Sequence, residues 1–312
     1  MLKSWLFALI SAFATASGAP AFAEPSEQWS DATVVVSAQL SGPALWRLKK
    51  GNSEVIVIGI LPVFPKNLGW KTRRVENALK GAKALITPPA GKAGVGDMLS
   101  LMRMKGLPKG QDLKSVLPPD LYGRYETTAA RAGVSTRAFQ HDKPVWAGAR
   151  LRQDVLGHRD LTGEEPVQTI ARLARHQDVP VRVAARYKLS PVLKDVNAMD
   201  ATAGRMCLAR TLDDIDFDID RAPKAAAAWV AGDMKTILAN YHGSALLDCL
   251  DGSGKGAALM EQATDDAVDA ITDALAVPGK TVAVLPLAPL LRKGGALDRL
   301  RAQGVSITTP NY

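Results

Sequence analysis

One pattern occurs twice, near opposite ends of the chain, and that repetition restricts the fold more than any other feature. An apolar run, Val55-Ile56-Val57-Ile58, is closed by Gly59 and breaks into a loop holding Pro62 and Pro65. An amphipathic helix over 73–80 follows, with Val75, Ala78 and Leu79 on one side, then a short strand over 84–86 stopped by Pro88-Pro89. The order returns at the C-terminus: strand over 281–285, Pro-broken loop, helix over 295–303, Gly304, and strand over 305–308. Strand, loop, helix, strand is the unit from which α/β sheets are built. The two copies are expected to lie in a single sheet whose strand tips converge on one cleft, the place where such sheets gather ligands. A hairpin should open the fold, because 44–48 and 55–58 flank Lys50-Gly51-Asn52-Ser53.

Between the two units the pattern is mostly helical. Helical spacing covers 94–104, a helix starts near Pro118-Pro119-Asp120, and 144–155 and 166–176 each begin with Pro near the first turn. A short apolar piece over 179–184 reads as a further strand. Over 206–219, Leu208, Leu212, Ile215 and Ile219 recur at helical spacing, and 225–239 and 257–276 are Ala-rich helices. The expected architecture is α/β: a central sheet with two bracketing β-loop-α-β units and a large helical insert over about 94–276, in one domain spanning 24–312.

The first residues predict the compartment. Lys3 precedes a short apolar run over 5–16 (WLFALISAFATA), and Ala21-Phe22-Ala23 is an A-x-A cleavage site. This is the form of a secretory signal peptide over 1–23, with a mature chain that is periplasmic or secreted and does not span the membrane. In that setting the net charge of +8 does not point to nucleic acid; it favours an anionic lipid or acidic polysaccharide of the envelope, or serves only solubility. Cys207 and Cys249, the two cysteines of the chain, are expected to pair as a disulfide. No CxxC is present to suggest redox catalysis.

Residues that carry chemistry are sparse. His141, His158, His176 and His242 form no HExxH and no helical i,i+4 pair, so surface and capping roles are expected for them. Asp213, Asp214, Asp216, Asp218 and Asp220 fall mainly opposite Leu212, Ile215 and Ile219, which reads as a solvated helix face. The glycines of Asp251-Gly252-Ser253-Gly254-Lys255-Gly256 miss the phosphate-loop spacing and read as a flexible loop.

Several longer stretches resemble the TraB/GumN family, the wider group that includes the Tiki proteases. PALWRLKKGNSEVIVIG resembles its opening strands, LPVFPKNLGWKTRRVENALKGAKAL its first loop and helix, and GGALDRLRAQGVSI its closing helix and strand. PVQTIARLARHQDVPV, CLARTLDDIDFDID and AAAAWVAGDMKTI resemble its helical middle. The resemblance implies that each bracketing strand should end in G-x-x-H, and that a Glu should end the strand after the first helix. Those residues are thought to bind a divalent metal and carry peptidase-like hydrolysis in Tiki members. Here the first motif reads Gly59-Ile60-Leu61-Pro62 and the second Pro286-Leu287-Ala288-Pro289, while the Glu position falls at Pro88, or at Thr87 if the alignment slips. Proline has neither a side-chain lone pair nor a backbone N–H, so none of the three can ligate through a side chain.

The family's metal site is therefore expected to be lost, with no metal and no other cofactor. The leading expectation is a non-catalytic envelope protein that binds a protein, peptide, lipid or polysaccharide. Its cleft would be apolar, lined by Leu61, Phe64, Leu287 and Leu290 beside Pro62, Pro88, Pro89 and Pro289. Trp70, Lys66, Lys71, Arg73 and Arg74 would stand at the rim. The alternative is a peptidase-like hydrolase with relocated catalytic residues, either His141 with Asp142 or His242 near Tyr241 and Asp248; it requires one of these histidines in the same cleft as Pro62 and Pro289.

Overall fold

The computed structural model describes residues 42–92, 94, 96, 104–241, 243 and 255–310. Strands β1 (Leu45–Lys50) and β2 (Ser53–Ile60) form the expected hairpin, with Leu48 opposite Val55. Gly51 turns it with φ 57°, a left-handed value that costs glycine little. Next come the two-residue strand β3 (Phe64–Pro65), helix α1 (Arg73–Leu79), and strands β4 (Leu85–Thr87) and β5 (Ala90–Lys92).

The helical insert follows: α2 (Leu113–Val116), α3 (Pro119–Ala132), α4 (Pro144–His158), strand β6 (Leu161–Thr162) and α5 (Glu165–His176). Strands β7 (Val181–Val183) and β8 (Arg186–Lys188) lead into α6 (Ser190–Ala198), α7 (Ala201–Ala231), α8 (Met234–Ala239) and α9 (Lys255–Leu275). The chain closes with β9 (Gly279–Pro286), α10 (Leu287–Leu291), α11 (Ala296–Ala302) and β10 (Ser306–Thr308). The 94–104 stretch, read as helical, lies largely outside the described residues.

Six strands make one mixed sheet in the order β10-β1-β2-β9-β4-β7. β1 runs antiparallel to both of its neighbours, whereas β2, β9, β4 and β7 are mutually parallel. The two repeated units therefore share one sheet: β2 and β9 lie side by side, with Gly59 opposite Leu285 and Ile60 opposite Pro286. The insert contributes to the sheet as well, since β7 supplies its edge strand. β2 and β9 are almost wholly buried apolar runs, as expected for strands covered on both faces.

α7 differs from the sequence reading, which gave separate helices over 206–219 and 225–239. It runs unbroken for 31 residues, capped by Asp200 at one end and by left-handed Gly232 at the other. Its length is roughly 46 Å at about 1.5 Å per residue. Pro223 faces solvent, so the helix loses one backbone hydrogen bond there without burying an orphaned carbonyl beside a clashing ring.

The N-terminal part of α7 (Leu208, Leu212, Ile215) packs in a cluster with Tyr125, Leu151 and Val155 of α3 and α4. Its C-terminal part (Ala225, Ala226, Trp229) packs in the main core with β2, β9 and α10. One helix thus joins the sheet to the helical lobe. Gly148 permits the close α4 contact, since a Cβ there would sit 3.1 Å from Leu208 and 3.3 Å from Thr211.

The acidic cluster on α7 needs correction. Asp213 pairs with Arg124, Asp216 and Asp220 with Arg131, and Asp218 with Arg152 at 2.8 Å. Asp216 also accepts from Thr128 Oγ1, and Asp214 is buried. The spacing was right for one helix face, and Asp213 and Asp220 are exposed on it; what the sequence did not show is that the face also meets the arginines of α3 and α4.

Candidate functional site

Three adjacent parallel strands, β2, β9 and β4, end at the same edge of the sheet, and each runs directly into a proline-bearing turn. Pro62 lies two residues beyond β2, Pro289 three beyond β9, and Pro88 immediately after β4. Pro62, Pro88 and Pro289 thus share one end of the sheet. Pro62 is exposed, whereas Pro88 and Pro289 are half-buried.

The expected open apolar mouth is not what these residues form. Leu61, Phe64, Leu287 and Leu290 are 0–2% exposed and belong to the main core. The cause is local: Gly59 has no Cβ, and one would lie 2.4 Å from Leu287 Cδ2 and 2.8 Å from Trp46, so Leu287 closes down onto β2. Instead of opening into a loop after β9, the chain turns at once into α10, whose Leu287, Leu290 and Leu291 point inward.

Side chains from α7 and the residues after α8 occupy the polar backbone groups at these tips. Trp229 Nε1 donates to the Gly59 carbonyl at 2.7 Å, and the Ala288 N–H donates to the Tyr241 hydroxyl at 2.9 Å. Trp229 also stands edge-on to Phe64 and Trp70, with ring centres 5.0 and 5.2 Å away. Trp70 is half-buried against this aromatic group.

The loop after β2 is held down further. β3 pairs with β6, the Lys66 N–H donates to the Asp160 carbonyl at 2.7 Å, and a Cβ on Gly163 would meet the Pro62 carbonyl at 2.8 Å. What remains among the described residues is a shallow indentation, open to solvent, between Pro62, Phe217, Asp218, Ala222, Asn240 and Tyr241. Its one carboxylate, Asp218, is committed to Arg152.

The remaining candidates lie elsewhere or beyond the described residues. His141 contacts the Gln111 carbonyl at 3.2 Å and Gln140 at 3.0 Å in the helical lobe. Its neighbour Asp142 is buried between Arg150 and Lys105, so its charge is spent on cations. Close by, burial and then Asp142 push the Tyr125 phenol above its usual range. His158 lies against Gly133, and His176 ends α5.

His242, Asp248 and the Gly-rich 251–254 stretch fall outside the described residues, as do the 1–23 segment and Cys249. Cys207 is buried beside Val145, Val196 and Met199. At the rim, Lys66 pairs weakly with Asp160 at 3.6 Å, while Lys71 and Arg73 are exposed. Among the described residues no group of three His, Cys, Asp or Glu is placed to hold a metal ion, and no helix is long and apolar enough to cross a membrane.

Trp229 was not singled out from the sequence, although a single tryptophan in an alanine run was a signal; Tyr241 was named only as a neighbour of His242, and Asp218 only as part of an acidic helix face.

A mixed sheet whose parallel strands bring three proline-bearing segments to one end, with a helical insert, defines an α/β protein. The chain belongs to the TraB/PrgY/gumN family, whose model matches residues 44–309. No curated protein and no solved structure matches it.

Proposed function

We propose that this chain is an exported, non-catalytic member of its family that acts by binding an envelope partner at the strand-tip end. The observation that carries this reading is the chemistry of the three tip positions: Pro62, Pro88 and Pro289 offer no donor atom where the resemblance calls for His, Glu and His. Groups further out cannot compensate, because they only orient ligands that exist. The Trp229 and Tyr241 hydrogen bonds favour the same reading, since they use backbone groups that a ligand would otherwise approach. The small indentation suits one side chain of a macromolecule better than an enclosed small ligand.

The test is elemental analysis of the purified protein after exposure to zinc, manganese and cobalt and removal of excess metal. Substoichiometric metal is expected. One tightly held ion per chain would overturn the proposal. The Pro62→His, Pro88→Glu, Pro289→His variant should take up more metal than the parent.

A hydrolase with relocated residues is favoured by one observation only: His242 follows Tyr241, which lines the indentation beside Pro62 and reaches the second tip through Ala288. That alternative predicts peptidase turnover abolished by His242→Ala, and neither His141 nor Asp142 serves it.

A further inference from the structure

The outer edge of the sheet carries a second surface, which runs on past the Pro88 tip. β7 ends the six-strand order, and its outer side is unpaired among the described residues. Beyond β7 the chain continues as β8, paired in parallel with β5, which itself continues β4: Ala90 lies opposite Arg186, Gly91 opposite Tyr187 and Lys92 opposite Lys188. The outer edge therefore extends from Val181 to Lys188, roughly 20–25 Å at about 3.3 Å per residue.

Arg182, Arg186 and Lys188 alternate along this edge and are exposed, with Lys92 exposed beside Lys188. None of the four forms an ion pair or a side-chain hydrogen bond among the described residues. The arginines of α3, α4 and α11, by contrast, are nearly all matched to carboxylates. The ribbon is held in place from behind: Tyr187 donates to Asp266 on α9, and Leu189 packs directly over Gly91. A rigid, unpaired strand edge lowers the ordering cost for an incoming strand.

Lysine and arginine on an edge strand also serve a purely defensive purpose, discouraging unwanted pairing. That purpose does not need four cations, unmatched among the described residues, on one pinned ribbon of two chain segments. We infer that the β7–β8 edge is a docking site for an extended acidic peptide of a partner protein. The peptide would add as an outer strand, its backbone pairing with the edge and its carboxylates meeting Arg182, Arg186, Lys188 and Lys92. This inference uses the outer strand edge and its cations, not the side chains at the three tips, and stands whether or not the tips bind metal.

The test uses the full mature chain and a fluorescent decapeptide of alternating Glu and Thr, followed by anisotropy. Binding is expected, weakening at least tenfold between low and high salt as screening sets in. It should also weaken at least tenfold in the Arg182→Glu, Arg186→Glu, Lys188→Glu variant. A Lys–Thr peptide should not bind. The deciding control leaves the protein untouched: N-methylation of alternate peptide nitrogens removes strand pairing but keeps every charge. Loss of binding on methylation supports strand addition even if the triple variant fails to fold. Equal binding of the methylated peptide, or equal displacement by a polyuronate, would show a non-selective anion surface and overturn the inference. Failure of the Glu–Thr peptide to bind at low salt would overturn it as well.

Discussion

Gly59 and Trp229 show how much of the tip depends on single atoms. The indole N–H reaches a carbonyl 170 residues away in sequence, deep in the core. Trp229→Phe keeps most of the ring volume but leaves that carbonyl without its donor, at a cost of about 1–3 kcal/mol. Denaturant midpoints of the variant and parent should show that loss with an unchanged slope; an equal midpoint would mean the bond contributes nothing. The three prolines stood out through the family resemblance, and their common end of the sheet was legible from the repeated strand pattern. The partners that fill the tip were not, because neither Trp229 nor Tyr241 belongs to a local pattern that points at Gly59 or Ala288. Burial of Leu61, Phe64, Leu287 and Leu290 was hidden for the same reason: a leucine in a loop looks the same whether it lines a mouth or closes one.

Element boundaries followed local chemistry closely where caps and turns are strong. The hairpin, α1, α5, α11 and the bracketing strands were legible within a residue or two. α10 was not, since a five-residue helix around Pro289 has too few turns to show periodicity. α7 is one helix where the sequence reading gave two; Pro223 inside it is tolerable because it faces solvent.

α8 offers a test of cap chemistry. Asp233 accepts from the Thr236 hydroxyl at 2.6 Å and the Thr236 N–H at 3.0 Å, and these bonds hold its carboxyl below the ordinary 3.8. A carboxylate with a lowered folded value stabilises fully above pH 3.8, and the benefit fades as pH falls through the folded value. Asp233→Ala should therefore cost about 1 kcal/mol near neutrality. Melting curves taken from pH 6 downward should show the gap between variant and parent closing in strong acid. A gap constant with pH would mean the charge is irrelevant.

At the scale of the whole molecule, family membership and the α/β architecture were readable because the repeated unit brackets the chain and its strands pair directly, β2 with β9. The joining of lobe to sheet was not, since it depends on the two faces of α7 and on arginines distant from it in sequence. The proposed Cys207–Cys249 bridge would tie the early part of α7 to the segment before α9. In the chain-entropy account a loop of roughly 40 residues contributes about 4 kcal/mol. Peptide mapping without reductant should recover the two cysteines together, and a reductant should lower the melting temperature; two alkylatable thiols in the native protein would remove the bridge.

The 31-residue α7 is gripped by both hydrophobic clusters, and its far end supplies the indole that holds Gly59. It works as a lever with two bearings. The packing of α3 and α4 and the end of β2 therefore bear on the same rod, and a displacement of one is expected to be carried to the other.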